Sequence, residues 1–145
     1  LIMFICNHCP FVKHVNQQIV QIAKDYQNSG IKLIAISSND IINYPDDSPS
    51  EMKKVAIKEN FIFPYLFDET QIVAKNYDAA CTPDFFIFNN SKKLVYRGQL
   101  DDSRPGNNIT VTGEDVRNAL ESLINFKEIN PVQKPSIGCN IKWKN

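Results

Sequence analysis

Two cysteines separated by two residues, Cys6 and Cys9 in Cys6-Asn7-His8-Cys9-Pro10, are the residues of this chain most suited to chemistry. They follow the apolar run Leu1–Ile5 and precede a helical pattern opening at about Pro10. A thiol at that junction faces the unpaired N–H groups of the first helical turn and the positive end of the helix dipole. Both favour thiolate, and thiols so placed reach pKa values of roughly 3.5–7.5. The two-residue gap lets Cys9 close a disulfide with Cys6 across the first turn. The expected roles are that Cys6 attacks a substrate disulfide and Cys9 resolves the mixed disulfide. His8, when protonated, would place a positive charge beside the thiolate and make the pair more oxidising. Asn7, between the two cysteines, and Pro10, just after them, are expected to line the substrate contact.

A Cys-x-x-Cys pair can also be half a zinc site, but such sites usually carry a second close pair. Here His8, His14, Cys81 and Cys139 would have to converge from scattered places, so no metal is expected. The only cofactor expected is the redox-active disulfide itself. A second mark is Cys81-Thr82-Pro83, just before the apolar run Asp84–Phe88. Proline cannot donate a ladder hydrogen bond, and the first residue of a strand is one of its few permitted places. Cys81 reads first as a small buried hydrophobe and second as an accessory thiol. Cys139 could fold back as a second resolving thiol, pair with Cys81, or stay free.

The elements that must hold these residues follow from periodicity. After the first apolar strand, Phe11, Val15, Ile19, Ile22 and Tyr26 mark one buried helix face, with Gly30 as its closing cap. Ile31–Ile36 reads as a second buried strand. Ser48-Pro49-Ser50-Glu51 forms a capping box ahead of a helix carrying Met52, Val55 and Ala56, and Tyr44–Asp47 reads as its lead-in. A brief strand within Phe61–Phe67 and a short helix through Ile72, Val73 and Tyr77 come next, the helix capped from Asp68–Gln71. Asp84–Phe88 and Lys93–Arg97 make a hairpin around Asn89-Asn90-Ser91. A helix capped by Thr112 carries Val116, Ala119, Leu120, Leu123 and Ile124. Residues 130–145 form an irregular tail, anchored by Trp143. The order implies an α/β domain over 1–129, a mixed sheet covered by helices on both faces, with 130–145 packed on it.

Composition adds exclusions. Lys plus Arg and Asp plus Glu both number 16, so no net charge recruits nucleic acid or anionic lipid. The apolar runs fall short of the ~20 residues needed to span a bilayer. A cytoplasmic setting is the expectation. Export is the alternative, because the chain opens on Leu1 directly into a strand and any signal segment would lie upstream.

Strand-CxxCP-helix followed much later by Thr-Pro at a hairpin strand resembles the thioredoxin superfamily. The stretches Phe4–Val12, Asp101–Asn107 and Pro135–Trp143 are more closely similar to its peroxiredoxin-like branch. That branch is grouped with the alkyl hydroperoxide reductase and thiol-specific antioxidant (AhpC/TSA) family. The resemblance implies a thioredoxin fold, a cis bond at Pro83 against the active disulfide, and a Thr82 backbone offered to an extended substrate. It also raises peroxidase activity, with Cys6 as the peroxidatic cysteine. Peroxiredoxins hold peroxide with a Thr or Ser three residues before that cysteine, a Pro seven before, and a distant Arg. Here Met3 stands at the first position, the second falls before Leu1, and Thr82-Pro83 occupies the place of the Arg, leaving Arg97 and Arg104 as substitutes. Thiol–disulfide exchange is therefore the favoured reading, acting on protein or small-thiol disulfides with a thiol reductant or reductase as electron donor. A thiol peroxidase and a redox-sensing binding module are the alternatives. A buried acid that would act as proton relay is not found in the first strand.

Overall fold

The computed structural model describes residues 1–144. Its central sheet starts from β1 (Ile2–Phe4), whose residues are too apolar to leave in water, and Met3 and Phe4 are fully buried. The chain then turns through the two cysteines into α1 (Pro10–Tyr26). Proline suits that first helical position because its missing N–H would be unpaired there in any case. Val15, Ile19, Ile22 and Tyr26 are buried as the spacing predicts, joined by Val12 and Ala23, while Phe11 is only partly covered. Gly30 adopts a left-handed φ of 85°, but the helix ends four residues earlier, at Tyr26.

β2 (Ile34–Ser37) returns parallel to β1, pairing Met3 with Ala35. A single 3₁₀ turn at Pro45–Asp47 leads to α2 (Pro49–Lys58), then β3 (Tyr65–Phe67) pairs parallel with β2. The start of α2 falls at Ser48 as expected, but its capping box does not form. The Ser48 hydroxyl meets Ser50 Oγ at 3.1 Å and Glu51 pairs with Lys54 instead. α3 (Ile72–Asn76) is short, and the Asp68 carboxylate accepts the Ala74 N–H at 2.9 Å and the Val73 N–H at 3.4 Å. β4 (Cys81–Thr82), β5 (Asp84–Phe88) and β6 (Leu94–Gly98) follow, then α4 (Glu114–Ile124) and β7 (Cys139–Asn140).

The five-stranded sheet has the order β3-β2-β1-β5-β6, with β5 antiparallel to both β1 and β6. Alternate residues on the strands serve two cores, the consequence of a twofold side-chain period. Met3, Ala35, Phe85 and Ile87 pack with α1 and with Val116, Ala119 and Leu120 of α4. Phe4, Ile36 and Phe86 pack on the other face with Ala74, Ala79 and Ile141. On that second face Phe4, Tyr77 and Phe86 meet edge to face with centroids 5.4–5.7 Å apart. Such contacts add about 0.5–1.5 kcal/mol each beyond burial. β4 lies off this sheet and pairs only two residues, antiparallel, with β7 of the C-terminal segment.

Two expectations about the later chain are corrected. Thr112 does not cap α4. Gly113 is the cap residue, in a left-handed conformation, and the buried Asp101 carboxylate accepts the N–H groups of both Thr112 (2.7 Å) and Gly113 (2.6 Å). Trp143 does not anchor the tail, being 41% exposed with the Lys75 ammonium over its ring. The anchors are Ile141, at 3% exposure, and Gln71, whose amide bonds the Lys142 carbonyl and the Lys144 N–H. His14 on α1 is also engaged by this later segment, its Nε2 lying 2.7 Å from the Ser103 hydroxyl.

Gly113 combines φ 72° with a close neighbour, because a Cβ there would lie 2.8 Å from Ile22 Cδ1. Gly113→Ala should lower unfolding stability by about 1–3 kcal/mol through left-handed strain and the displaced Ile22. Equilibrium urea unfolding of the two proteins measures it, and an unchanged midpoint would contradict the account.

Candidate active site

The ends of β1 and α1 bring the two cysteines together. Cys6 leaves the sheet just after Phe4, and Cys9 is the N-cap residue of α1 with an extended backbone. Both thiols are buried, at 2% and 0% exposure, and Phe11 and Cys139 border the cluster that encloses them. The Thr82–Pro83 peptide is cis and faces the pair. Cys6 Sγ shares a hydrogen bond with the Thr82 hydroxyl at 3.4 Å, and the Cys9 sulfur lies 3.3 Å from the Thr82 carbonyl oxygen, to which it donates when protonated. Cys6, Cys9, Thr82 and Pro83, chosen from the sequence, are thus one constellation.

Asn7 and His8 are held from behind by a residue that the sequence reading passed over as part of a lead-in. Asp47 is completely buried, and its Oδ1 accepts the Asn7 N–H at 2.7 Å and the His8 N–H at 3.3 Å. Its Oδ2 accepts from Asn39 Nδ2 at 2.8 Å and lies 2.6 Å from His8 Nδ1. A buried carboxylate without such partners would cost several kcal/mol, on the order of its desolvation. Asp47 thereby fixes the loop between the cysteines from forty residues away. Asn7 is turned toward this support, donating to the Asp46 carbonyl and accepting from the Tyr65 hydroxyl. The His8 ring stacks on Tyr44 at 5.5 Å. The signal available in the sequence was the Pro45-Asp46-Asp47 turn, but nothing local says that its second acid points inward.

Cys6 Sγ, a His8 ring nitrogen and an Asp47 oxygen lie within 4.8 Å of one another, a spacing a metal ion could use. Both Asp47 oxygens already accept N–H groups, however, and a tetrahedral ion would need those lone pairs and a further donor. The donor set fits orientation of the loop better than metal ligation.

The thiols ionise as a coupled pair. Cys9 is pushed down to about 4, first by hydrogen bonding from the Cys6 thiol, against its burial, with Cys139 and the Val12 N–H adding to the effect. Cys6 is raised, by that same bond first, then by burial and by the Asp47 charge. Within the pair the first negative charge falls on Cys9, to which the Cys6 thiol donates, while Cys6 itself faces the Asp47 carboxylate. Cys81 is pushed up to about 12 by burial and then by Asp84, in line with a buried, unreactive thiol. Cys139 is raised to about 11, by burial and then by Cys9.

The remaining candidates have other tasks. Arg97 reaches Asp78 and lies over the Phe86 ring, and Arg117 pairs with Asp25. Arg104 donates to the Asp101 and Ser103 carbonyls at 2.6 Å and to Gln99, so it closes its own loop. Met3 is fully buried. No helix among the described residues is long and apolar enough to cross a membrane.

This arrangement, a dithiol at a strand-to-helix junction against a cis-proline on a mixed sheet, defines a thioredoxin-like redox protein. The AhpC/TSA family model matches residues 1–97, and the chain belongs to the AhpC/TSA family. A crystal structure of an uncharacterized conserved protein from Geobacillus kaustophilus is 62% identical, with a TM-score of 0.97, covering 99% of this chain and 76% of that one. A hypothetical protein from Sinorhizobium meliloti 1021 is 44% identical with a TM-score of 0.97, covering 99% of this chain and 78% of that one. At 17% identity and a TM-score of 0.55, a secreted Mycobacterium tuberculosis disulfide oxidoreductase homologous to E. coli DsbE shares the fold over 64% of this chain and 63% of its own. A thioredoxin-like protein solved in its oxidized form does so over 88% of this chain and 79% of its own, at 15% identity and a TM-score of 0.68. No curated protein matches the chain. The function is of the thiol oxidoreductase or peroxidase type, on a thioredoxin fold.

Two measurements probe the electrostatics. Acid titration of the reduced protein should erase its ultraviolet thiolate absorbance only near a pH of about 4, and Cys6→Ala should move that midpoint upward. A thiolate appearing only near the ordinary thiol value of about 8.5 would refute the pairing. His8→Ala leaves the Asp47 charge unmatched beside Cys6, which disfavours thiolate and so the reduced form. Its reduction potential in glutathione buffers should turn more negative, by about 30 mV for each tenfold change in the equilibrium.

Proposed function

We propose that the chain is a thiol–disulfide oxidoreductase that cycles between the Cys6/Cys9 dithiol and the Cys6–Cys9 disulfide. The observation that carries this reading is the meeting of both sulfurs at the single residue Thr82, one on its hydroxyl and one on its carbonyl. Two thiols so held are preorganised to form one bond between themselves, which favours a dithiol couple over a lone peroxidatic sulfur. The couple uses no cofactor beyond its own disulfide, and metal is not called for.

The steps follow from the roles. In the oxidising direction a thiolate of the substrate attacks one sulfur of the Cys6–Cys9 disulfide, and the other leaves as thiolate. A second substrate thiol then displaces the enzyme sulfur, giving substrate disulfide and protein dithiol; reduction runs the same steps backward. Cys9 is the better leaving group because its thiolate is the more stable of the two. Asn7, His8 and Pro10 shape the loop around the pair, and Thr82 and Pro83 form its opposite wall. Substrates are protein or small-thiol disulfides, and a thiol reductant or reductase closes the cycle.

Peroxide reduction with Cys6 as peroxidatic cysteine is the second reading, supported by the family. Against it stand Met3, a buried thioether in place of a hydroxyl donor, and the three arginines, each engaged elsewhere. The reduced protein, freed of reductant, should be oxidised by a peptide disulfide much faster than by hydrogen peroxide, with a Cys6–Cys9 bridge as product. Rapid reaction with peroxide and a sulfenic acid on Cys6 would establish the peroxidase instead.

A further inference from the structure

The edge that Thr82 was expected to offer to an extended substrate is already taken by the chain itself. β7 pairs antiparallel with β4 in a register that sets Cys139 opposite Thr82 and Asn140 opposite Cys81. The approach is as close as backbones allow. A Cβ on Gly138 would stand 2.0 Å from the Thr82 carbonyl oxygen, so only glycine fits there. That same carbonyl accepts the Cys9 thiol. Cys139 thus enters beside Cys9 from the side a substrate would use, and it borders the cluster containing Cys6 and Cys9. It differs from them in one respect: Cys139 is partly exposed while both members of the pair are covered.

Building on the exchange reading, we infer that Cys139 is a third catalytic sulfur, and that Cys9 is a pivot that bonds alternately to Cys6 and to Cys139. The Cys139 thiol gives its proton to solvent, and its sulfur attacks Cys9 Sγ of the Cys6–Cys9 disulfide. The Cys9–Cys139 bond forms, the Cys6–Cys9 bond breaks, and Cys6 leaves with the electron pair and takes up a proton. No external oxidant is consumed, because one disulfide is exchanged for another. The oxidising equivalent has moved from a covered pair to a bond with one accessible end. An external thiol then attacks Cys139, and Cys9 departs as thiolate, which its hydrogen bonding from Cys6 favours. A second external thiol releases Cys139 and leaves as the small disulfide. The C-terminal segment therefore acts as a built-in substrate strand, docked on the cis-proline edge and carrying a sulfur of its own.

The test is disulfide mapping after oxidation by oxidised glutathione, acid quenching and alkylation with iodoacetamide. In Cys6→Ser, Cys9 and Cys139 should both lose their alkylation and appear as one cross-linked peptide pair. Adding Gly138→Ala, which pushes the strand off Thr82, should abolish that product. Cys9 capped by glutathione with Cys139 still alkylated, or Cys139 joined to Cys81, would overturn the inference. Circular dichroism checks that the variant is folded. Should it not be, wild-type protein at partial oxidation decides, since fragmentation distinguishes a Cys9–Cys139 link from Cys6–Cys9, and absence of the former overturns the proposal. A wild-type protein forming no Cys6–Cys9 bridge would instead strike at the exchange reading itself.

Discussion

The carbonyl and hydroxyl of Thr82 are where three distant parts of the chain are joined. Cys6 from the end of β1, Cys9 from the start of α1 and Cys139 from β7 all meet that one residue. The Thr82–Pro83 peptide is cis, and the chain enters β5 directly after it. Proline's lack of an N–H fits the same place, since β5 begins one residue later and needs no donor from Pro83. Most of the remaining architecture can be understood as holding β1, α1 and β5 in the relation this contact needs. Alternating apolar residues fasten β1, β2 and β5 to α1 and α4 on one face and to α3 and Ile141 on the other.

Charge is managed around that contact by burial and pairing. Asp47 gives the loop between the cysteines its shape by accepting two backbone N–H groups. Its second oxygen accepts from the Asn39 amide and lies 2.6 Å from His8 Nδ1. A carboxylate so close to Cys6 opposes a thiolate there, whereas Cys9 has the helix terminus and a neighbouring thiol in its favour. The division of labour between two chemically identical side chains follows from their surroundings, the general way in which proteins separate the acidities of like groups.

The C-terminal segment belongs to this site as much as the cysteine loop does. It is tied down by Ile141 in the second core, by the Gln71 amide, and by Asn39, whose carbonyl accepts the Lys142 N–H while its amide donates to Asp47. Asn39 thus links the support of the cysteine loop to the support of the tail. A disturbance of either one is felt by the other through a single side chain, as expected of a connected buried polar network.

Local pattern was enough to find the thiol pair and the frame. The Cys-x-x-Cys spacing before a proline, the helical period of α1 and α4, the paired strands of the hairpin and Pro83 at a strand start are all short-range signals, and each appears where the sequence places it. What sequence could not supply were partners far apart in the chain. Asp47 reads as a turn residue until the fold buries it, and Thr112 reads as a cap until Asp101 supplies the carboxylate. Cys139 reads as a stray thiol in a tail until β7 is laid on β4. The ordering of the two acidities starts from the hydrogen bond between Cys6 and Cys9 and is reinforced by Asp47 and Cys139, distant residues that have no local imprint. Periodicity is written by each element's need to bury one face, whereas the site is made by side chains that tertiary packing alone brings within a few ångströms.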